Sequence, residues 1–240
     1  MSATKTSTTK TRAAHAKSRV DPGQTVKGGA SRRAIFDAAL ASFRKRGFEQ
    51  TTMRAIAADA GVALGAAYYY FPSKEAIVHA FYAQTLEQDE AFARTALAKT
   101  HDLRARLGAV LHGKLERLRN DRMVLAALFH KAGSLDDEAS VFGPKTEGVR
   151  RRAIAIFDDV LAHASLEPDV RRMSATALWA LHLALLAYFV HDPSPRQART
   201  HALVDGVADL VVDLFETAPA MLGLLVTRVR PLLVAARLST

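Results

Sequence analysis

Apolar positions recur at spacings of three and four through most of this chain, and no stretch alternates with the period of two that marks a strand. From Ser31 to Arg46 the apolar set is Ile35, Phe36, Ala39, Leu40 and Phe43, which predicts a helix capped by Ser31. Arg44, Lys45 and Arg46 fall in its last turn, where the helix dipole favours cations. Phe48 then packs behind a turn at Gly47. Thr52 is placed to cap a short second helix whose stripe is Met53, Ile56, Ala57 and Ala60. Gly61 supplies the left-handed residue that turns the chain, and Val62 plugs the corner. A third helix over 63–71 is expected to face the core with Ala63, Ala67, Tyr70 and Phe71. Pro72 ends it and Ser73 caps the next. That longer helix, to about Lys99, buries Ala76, Ile77, Ala80, Phe81, Leu86 and Phe92. Further helices are expected near 102–119, 121–132, 145–164, 169–190, 196–216 and 219–238, with a loop or broken helix from Gly133 to Pro144. The predicted class is all-α.

Charge divides the chain unevenly. Residues 1–30 hold six Lys/Arg against one Asp, residues 31–82 seven against four, and residues 83–240 twenty against nineteen. A basic module on a near-neutral body points to a polyanion at one end. The first thirty residues are rich in Ser, Thr and Lys and lack the apolar run of a secretory signal. They read as a disordered basic arm that lies along DNA or, on the blander reading, as a solubilising tail. With no cysteine there is neither a disulfide framework nor thiol chemistry, which suits a cytoplasmic location.

The third helix leaves Gly65, Ala66, Tyr68 and Tyr69 pointing outward or sideways. Two adjacent exposed tyrosines beside a sharp inter-helix turn favour a docking surface over a packing seam. A helix-turn-helix presents its second helix to the DNA major groove in this way. At this point the chain resembles the TetR family of transcriptional regulators. The pattern T-T-x-R-x-I-A-x-x-A-G-V-x-x-G-x-x-Y-Y-Y-F-x-S-K-E runs from Thr51 to Glu75, and the match extends from Arg33 to about Tyr82.

The resemblance implies a three-helix DNA-binding domain over 31–75 after the arm of 1–30. It also implies a helical ligand-binding and dimerisation domain over 76–240. On that reading Thr52, Arg54, Leu64, Gly65, Ala66, Tyr68, Tyr69 and Lys74 meet double-stranded DNA. Thr52, Tyr68 and Lys74 are assigned to phosphates, and Arg54 to a base edge or a phosphate. The chain departs from the family at Ala63, where a Ser or Thr cap is common. The outward face Leu64-Gly65-Ala66 has no side-chain donor, so direct reading through it is limited to apolar contact.

For the body, the resemblance implies a small apolar ligand between helices, with Phe129, Phe142, Phe157, Trp179, His182 and Tyr188 as candidate lining. The run Leu178 to Val190 is apolar almost all round. It is too short for a membrane span, which needs about 20 residues, and it carries His182, so no membrane partner is expected. With the face of Ala202, Leu203, Val207, Leu210, Val211, Leu214 and Phe215 it fits the homodimer bundle of the family; the alternative is that both helices form the monomer's own core. The tail helix over 219–238 packs on the body or extends that interface. Nine histidines lack metal-ligand spacing, and the nucleophile-elbow, zincin, P-loop and dinucleotide motifs are absent. No enzyme, metal or cofactor is expected. His112, His130 and His182 lie on apolar helical stretches, and Arg150-Arg151-Arg152 reads as a solvated run. The predicted function is a repressor released from a palindromic operator by a ligand; the alternative is a ligand-independent architectural DNA-binding protein.

Overall fold

The structure is a computed structural model that describes residues 26–132, 143, 146–217, 224 and 228–232. Among these, every regular element is helical: α1 (Val26–Arg46), α2 (Met53–Asp59), α3 (Leu64–Tyr70), α4 (Lys74–Leu97), α5 (Leu103–Leu118), α6 (Arg122–Ala132), α7 (Glu147–Val160), α8 (Pro168–His191) and α9 (Ala198–Thr217). Short 3-10 turns follow α5 and α7 and precede α9. The fold is all-α, as the spacing predicts.

The first three helices close on Ile35, Phe36, Ala39, Leu40, Phe43, Met53, Ile56, Ala57, Ala67 and Phe71, all buried. The expected start of α1 at Ser31 needs correcting. The helix is already formed at Val26 and runs through the Gly28-Gly29 pair, so Ser31 is no cap and residues 26–30 are not part of an arm. Glycine lowers helix propensity by about 1 kcal/mol each, but the helix is formed across both. Gly29 is exposed and lines a cleft of about 750 Å³ between α1 and α4. Residues 1–25 lie outside the described residues.

In the body, α5 buries Leu107, Val110, Leu111, Leu115 and Leu118 against α4, α7 and α9. Phe92 was expected inside α4 but is more than a third exposed. Its ring lies on Gly113 of α5, where a Cβ would overlap it, and under the Arg117 guanidinium at 4.2 Å. The expected solvated run at Arg150-Arg151-Arg152 is also corrected in part. Arg150 is buried and donates to the Gly143 carbonyl, while Arg152 pairs with Glu90 across to α4.

Buried arginines tie the helix ends together. Arg106 donates from Nε to the Val160 carbonyl and from Nη1 to the carbonyls of Leu97 and Thr100. Its Nη2 donates to the Asp159 carbonyl. One guanidinium thereby meets orphan carbonyls at the C-terminal ends of both α4 and α7, where the helix dipoles also favour a cation. Arg122 does the same after α8, donating to Val190 and Asp192 carbonyls at 2.7 Å each.

Helix α8 is longer than the apolar run within it, and by length and composition alone could cross a membrane. Half of its most apolar window is buried inside the fold, against α6, α7 and α9. The 133–142 segment and most of the predicted 219–238 helix lie outside the described residues; 224 and 228–232 are helical.

Candidate nucleic-acid interface

The turn between α2 and α3 is built from local rules. The Thr52 hydroxyl accepts from the Ala55 amide at 3.1 Å, which caps α2. Gly61 sits at φ +65, the left-handed conformation that favours glycine. The Val62 amide then reaches back to the Ala57 carbonyl at 3.0 Å and fixes the corner. Behind it, Ser42 and Thr51 share a buried hydrogen bond of 3.2 Å, and Arg46 donates to both Ser42 and Asp59.

Helix α3 begins one residue later than the spacing suggested, and this shifts its faces. Ala63 has the extended backbone of an N-cap, is exposed, and makes no side-chain capping bond. It is therefore not a core position. Leu64, expected on the outward face, is half-buried and packs on the core with Ala67 and Phe71. The inward set is Leu64, Ala67, Tyr70 and Phe71, with Tyr70 half-buried against the core as expected. The outward face is consequently Gly65, Tyr68 and Tyr69, with Ala66 half-buried beside it. Tyr68 is 49% and Tyr69 58% exposed, and Tyr69 stands edge-on against Tyr70.

Around this face, Thr52 and Arg54 are exposed on α2, and Arg54 has no ion pair among the described residues. Lys74 is different. Its ammonium donates to the Phe48 carbonyl at 2.8 Å and lies 4.3 Å from the centre of the Phe48 ring. It holds the start of α4 onto the end of α1, and a phosphate would have to share it with those partners. Arg44 reaches Asp121 at 2.6 Å and so bridges the motif to the body.

The candidate ligand residues are only partly brought together. Phe157 of α7 and His182 of α8 lie ring to ring at 5.5 Å, with Trp179 fully buried one turn away. His182 keeps some exposed surface as a residue, but its Nδ1 is enclosed and has no partner of hydrogen-bond geometry. Burial, with the Lys114 charge next, pushes its pKa down to about 3, so the ring is neutral at physiological pH. Phe129 is half-buried at the edge of the core. Tyr188 of α8 is 43% exposed. Phe142 lies outside the described residues.

Sequence reasoning missed the ionic cluster beside His182. Asp89 of α4 takes Lys114 on one oxygen and Arg117 of α5 on the other, with Arg117 Nη2 at 2.6 Å. Asp89 and Lys114 are buried. Tyr82, on the same side of α4, has its phenol pushed up to about 12, chiefly by burial. The available signal was an aspartate standing between Leu86 and Ala93 on the apolar stripe of α4. Among the described residues no group of three His, Asp or Glu could hold a metal ion.

An all-helical chain with a compact helix-turn-helix and exposed tyrosines on its second helix has the architecture of a DNA-binding protein. Residues 35–81 match the family described as bacterial regulatory proteins, tetR family, and residues 106–227 match the tetracyclin repressor-like C-terminal domain. The chain belongs to the TetR family of bacterial regulatory proteins. No curated protein matched in sequence. Among solved structures it is similar to the fatty acid degradation regulator FadR of Bacillus halodurans, at 18% identity and TM-score 0.58 over 73% of this chain and 95% of that one. FadR of Thermus thermophilus, solved with lauroyl-CoA, aligns at 23% identity and TM-score 0.55 over 74% and 92%. FadR of Bacillus subtilis, solved with stearoyl-CoA, aligns at 18% identity and TM-score 0.59 over 73% and 96%.

Proposed function

We propose that this protein binds a two-fold symmetric operator as a homodimer, inserting α3 of each protomer in the major groove, and leaves it when a small apolar ligand enters the body. The observation that carries the DNA reading is the outward face of α3. Tyr68 and Tyr69 are exposed beside Gly65, and a Cβ built at Gly65 would meet no atom of the protein. The protein's own packing does not require glycine there, whereas close approach of the backbone to DNA does. We assign residues up to about Glu75 to DNA binding and the rest to ligand binding and dimerisation, a non-enzymatic cytoplasmic regulator.

This reading separates stability from binding at Gly65. Gly65→Ala is expected to stabilise the fold by about 0.5–1 kcal/mol through helix propensity. The same change is expected to weaken operator binding, because the new methyl stands in the groove. Thermal unfolding and a DNA titration on one preparation check both halves; tighter binding together with higher stability would remove Gly65 from the interface.

Arg54 lies two residues past the cap Thr52 and off the apolar stripe of α2. Beside a recognition helix with glycine at its outward face, its guanidinium comes within reach of base edges. A bidentate contact with guanine contributes about 1–3 kcal/mol of discrimination. Arg54→Ala is expected to relax preference at one symmetric pair of guanines while sparing non-specific affinity. A uniform loss on all sequences, with the consensus intact, assigns Arg54 to phosphate instead. Thr52 and Tyr68 remain the proposed phosphate contacts, and Lys74 a shared one.

For the ligand, the support is the buried contact of Phe157 with neutral His182, beside Trp179, between α7 and α8. The acyl-CoA complexes of two structurally similar regulators name the class to test first. Release of bound operator by a panel of acyl-CoAs and free fatty acids, followed by fluorescence anisotropy, is the direct experiment.

A further inference from the structure

A second histidine site lies on the seam between α5 and α9, away from the DNA-binding face and from His182. His112 and Glu116 occupy i and i+4 of α5, and His201 and Asp205 occupy i and i+4 of α9. The two imidazoles are nearly coplanar and meet edge to edge, with 5.0 Å between ring centres and 10° between planes. Their Nδ1 atoms face each other at 2.8 Å. On the outer side, His112 Nε2 lies 3.0 Å from an Asp205 oxygen, and His201 Nε2 lies 3.6 Å from a Glu116 oxygen.

Proton placement follows from donors and acceptors. His112 donates from Nε2 to Asp205, so its Nδ1 is an acceptor. The 2.8 Å contact then requires His201 to donate from its own Nδ1. One further proton can be held on His201 Nε2, facing Glu116, without disturbing that bond. The next proton has to go onto His112 Nδ1, and it turns the 2.8 Å contact into a donor facing a donor between two cations. Among the described residues no third ligand converges on this gap to make it a metal site. The charged groups facing the pair are Glu116 from α5, Arg119 from the turn after it, and Asp205 from α9, with the Arg104–Asp209 pair further along the seam.

We propose that His112 and His201 form a protonation-sensitive latch that holds α9 against α5 and lets it go when the pair takes up its second proton. Burial, and then the neighbouring His112, hold His201 below the ordinary histidine value; the part that comes from His112 is the resistance of the two rings to carrying charge together. The sign is fixed by linkage. The opened pair accepts protons near the usual pKa of about 6.5, whereas the latched pair resists the second. The latch is therefore complete above about that pH and is lost as the pH falls through the lowered value. Each unit of lowering raises the open population about tenfold once that range is crossed. Since α9 also carries the exposed Leu203 and Leu210, mild acid loosens the surface to which we assign dimerisation; that consequence, unlike the latch, rests on the dimer reading above.

The test is hydrogen–deuterium exchange of the full chain at pH 7.5 and 5.5, corrected for intrinsic rates and followed in peptides covering 198–217. The wild type is expected to exchange about tenfold faster there at pH 5.5. In His112→Gln, which can accept from His201 but cannot be protonated, the pH effect is expected to fall well below that of the wild type, what remains coming from the burial of His201. An unchanged α9 in the wild type, or the same pH effect in His112→Gln, overturns the latch. If the variant fails to fold, NMR titration of the wild-type histidines decides: two coupled steps, the later one below 6.5, support the latch, and two independent titrations near 6.5 overturn it. Sedimentation at both pH values separates the two readings. A chain monomeric throughout that still shows the α9 effect keeps the latch and refutes the dimer.

Discussion

Leu210→Arg is expected to leave the protomer folded and to cost operator affinity a hundredfold or more. Leu210 is 67% exposed, and Leu203, seven residues earlier on the same face of α9, is 42% exposed. A charge at such a position removes little from the protomer's own core, which α9 meets instead through the buried Val204 and Ala208. At a dimer interface the same charge would be buried without a partner, which is strongly unfavourable. Linking two DNA-binding modules raises affinity by about 10²–10⁴ without new contacts, and that gain goes when the dimer does. Unchanged helicity, a monomeric sedimentation coefficient and the drop in affinity are expected together. A dimeric Leu210→Arg protein with wild-type binding would place the interface elsewhere.

Asp192→Ala is expected to destabilise the fold by about 3 kcal/mol, since several charge-assisted hydrogen bonds lose their acceptor. The carboxylate is buried between α8 and α9. One oxygen accepts the Thr200 amide at 2.9 Å and its hydroxyl at 2.7 Å, and the other accepts the Ser194 amide at 2.9 Å. It thus caps α9 from across a turn in which Arg196 and Gln197 both take φ of +55, a strained choice for residues with a Cβ. Burial alone would raise this carboxyl, but the hydrogen bonds from Thr200 and Ser194 outweigh it and hold the pKa well below the carboxylate range. Because the folded value is depressed, the contribution is complete above the unfolded value of about 3.9 and is lost as the pH falls through the folded value. Denaturant melts of wild type and variant at pH 7 and pH 3 check this, the gap between them narrowing in acid. Equal stability at pH 7 would remove Asp192 from its role.

Much of the DNA-binding module was legible because its rules are local. A cap at Thr52, a left-handed glycine at 61, a proline at 72 and a cap at Ser73 each act within four residues, and each does so in the structure. At the start of α3 the apolar spacing put Ala63 on the core face while the family resemblance put the cap there, and the structure has the cap. Ser31 misled in the opposite direction. It is a good cap in isolation, but the helix is already formed at Val26. In the body, Phe92 shows the limit of periodicity on helices apolar on several sides, because it does not say which side another helix covers. The Asp89 cluster, the reach of Arg106 to Asp159 and Val160, and the His112–His201 contact join residues 25 to 89 positions apart, and only the tertiary fold brings them together.

Selection of bound sequences from a random double-stranded DNA pool tests the functional reading most directly. The expected result is a palindrome of two half-sites centred about one helical turn or a multiple of it apart, bound by a species that sediments as a dimer. A single asymmetric half-site bound by a monomer, or coating of DNA without sequence preference, would contradict it.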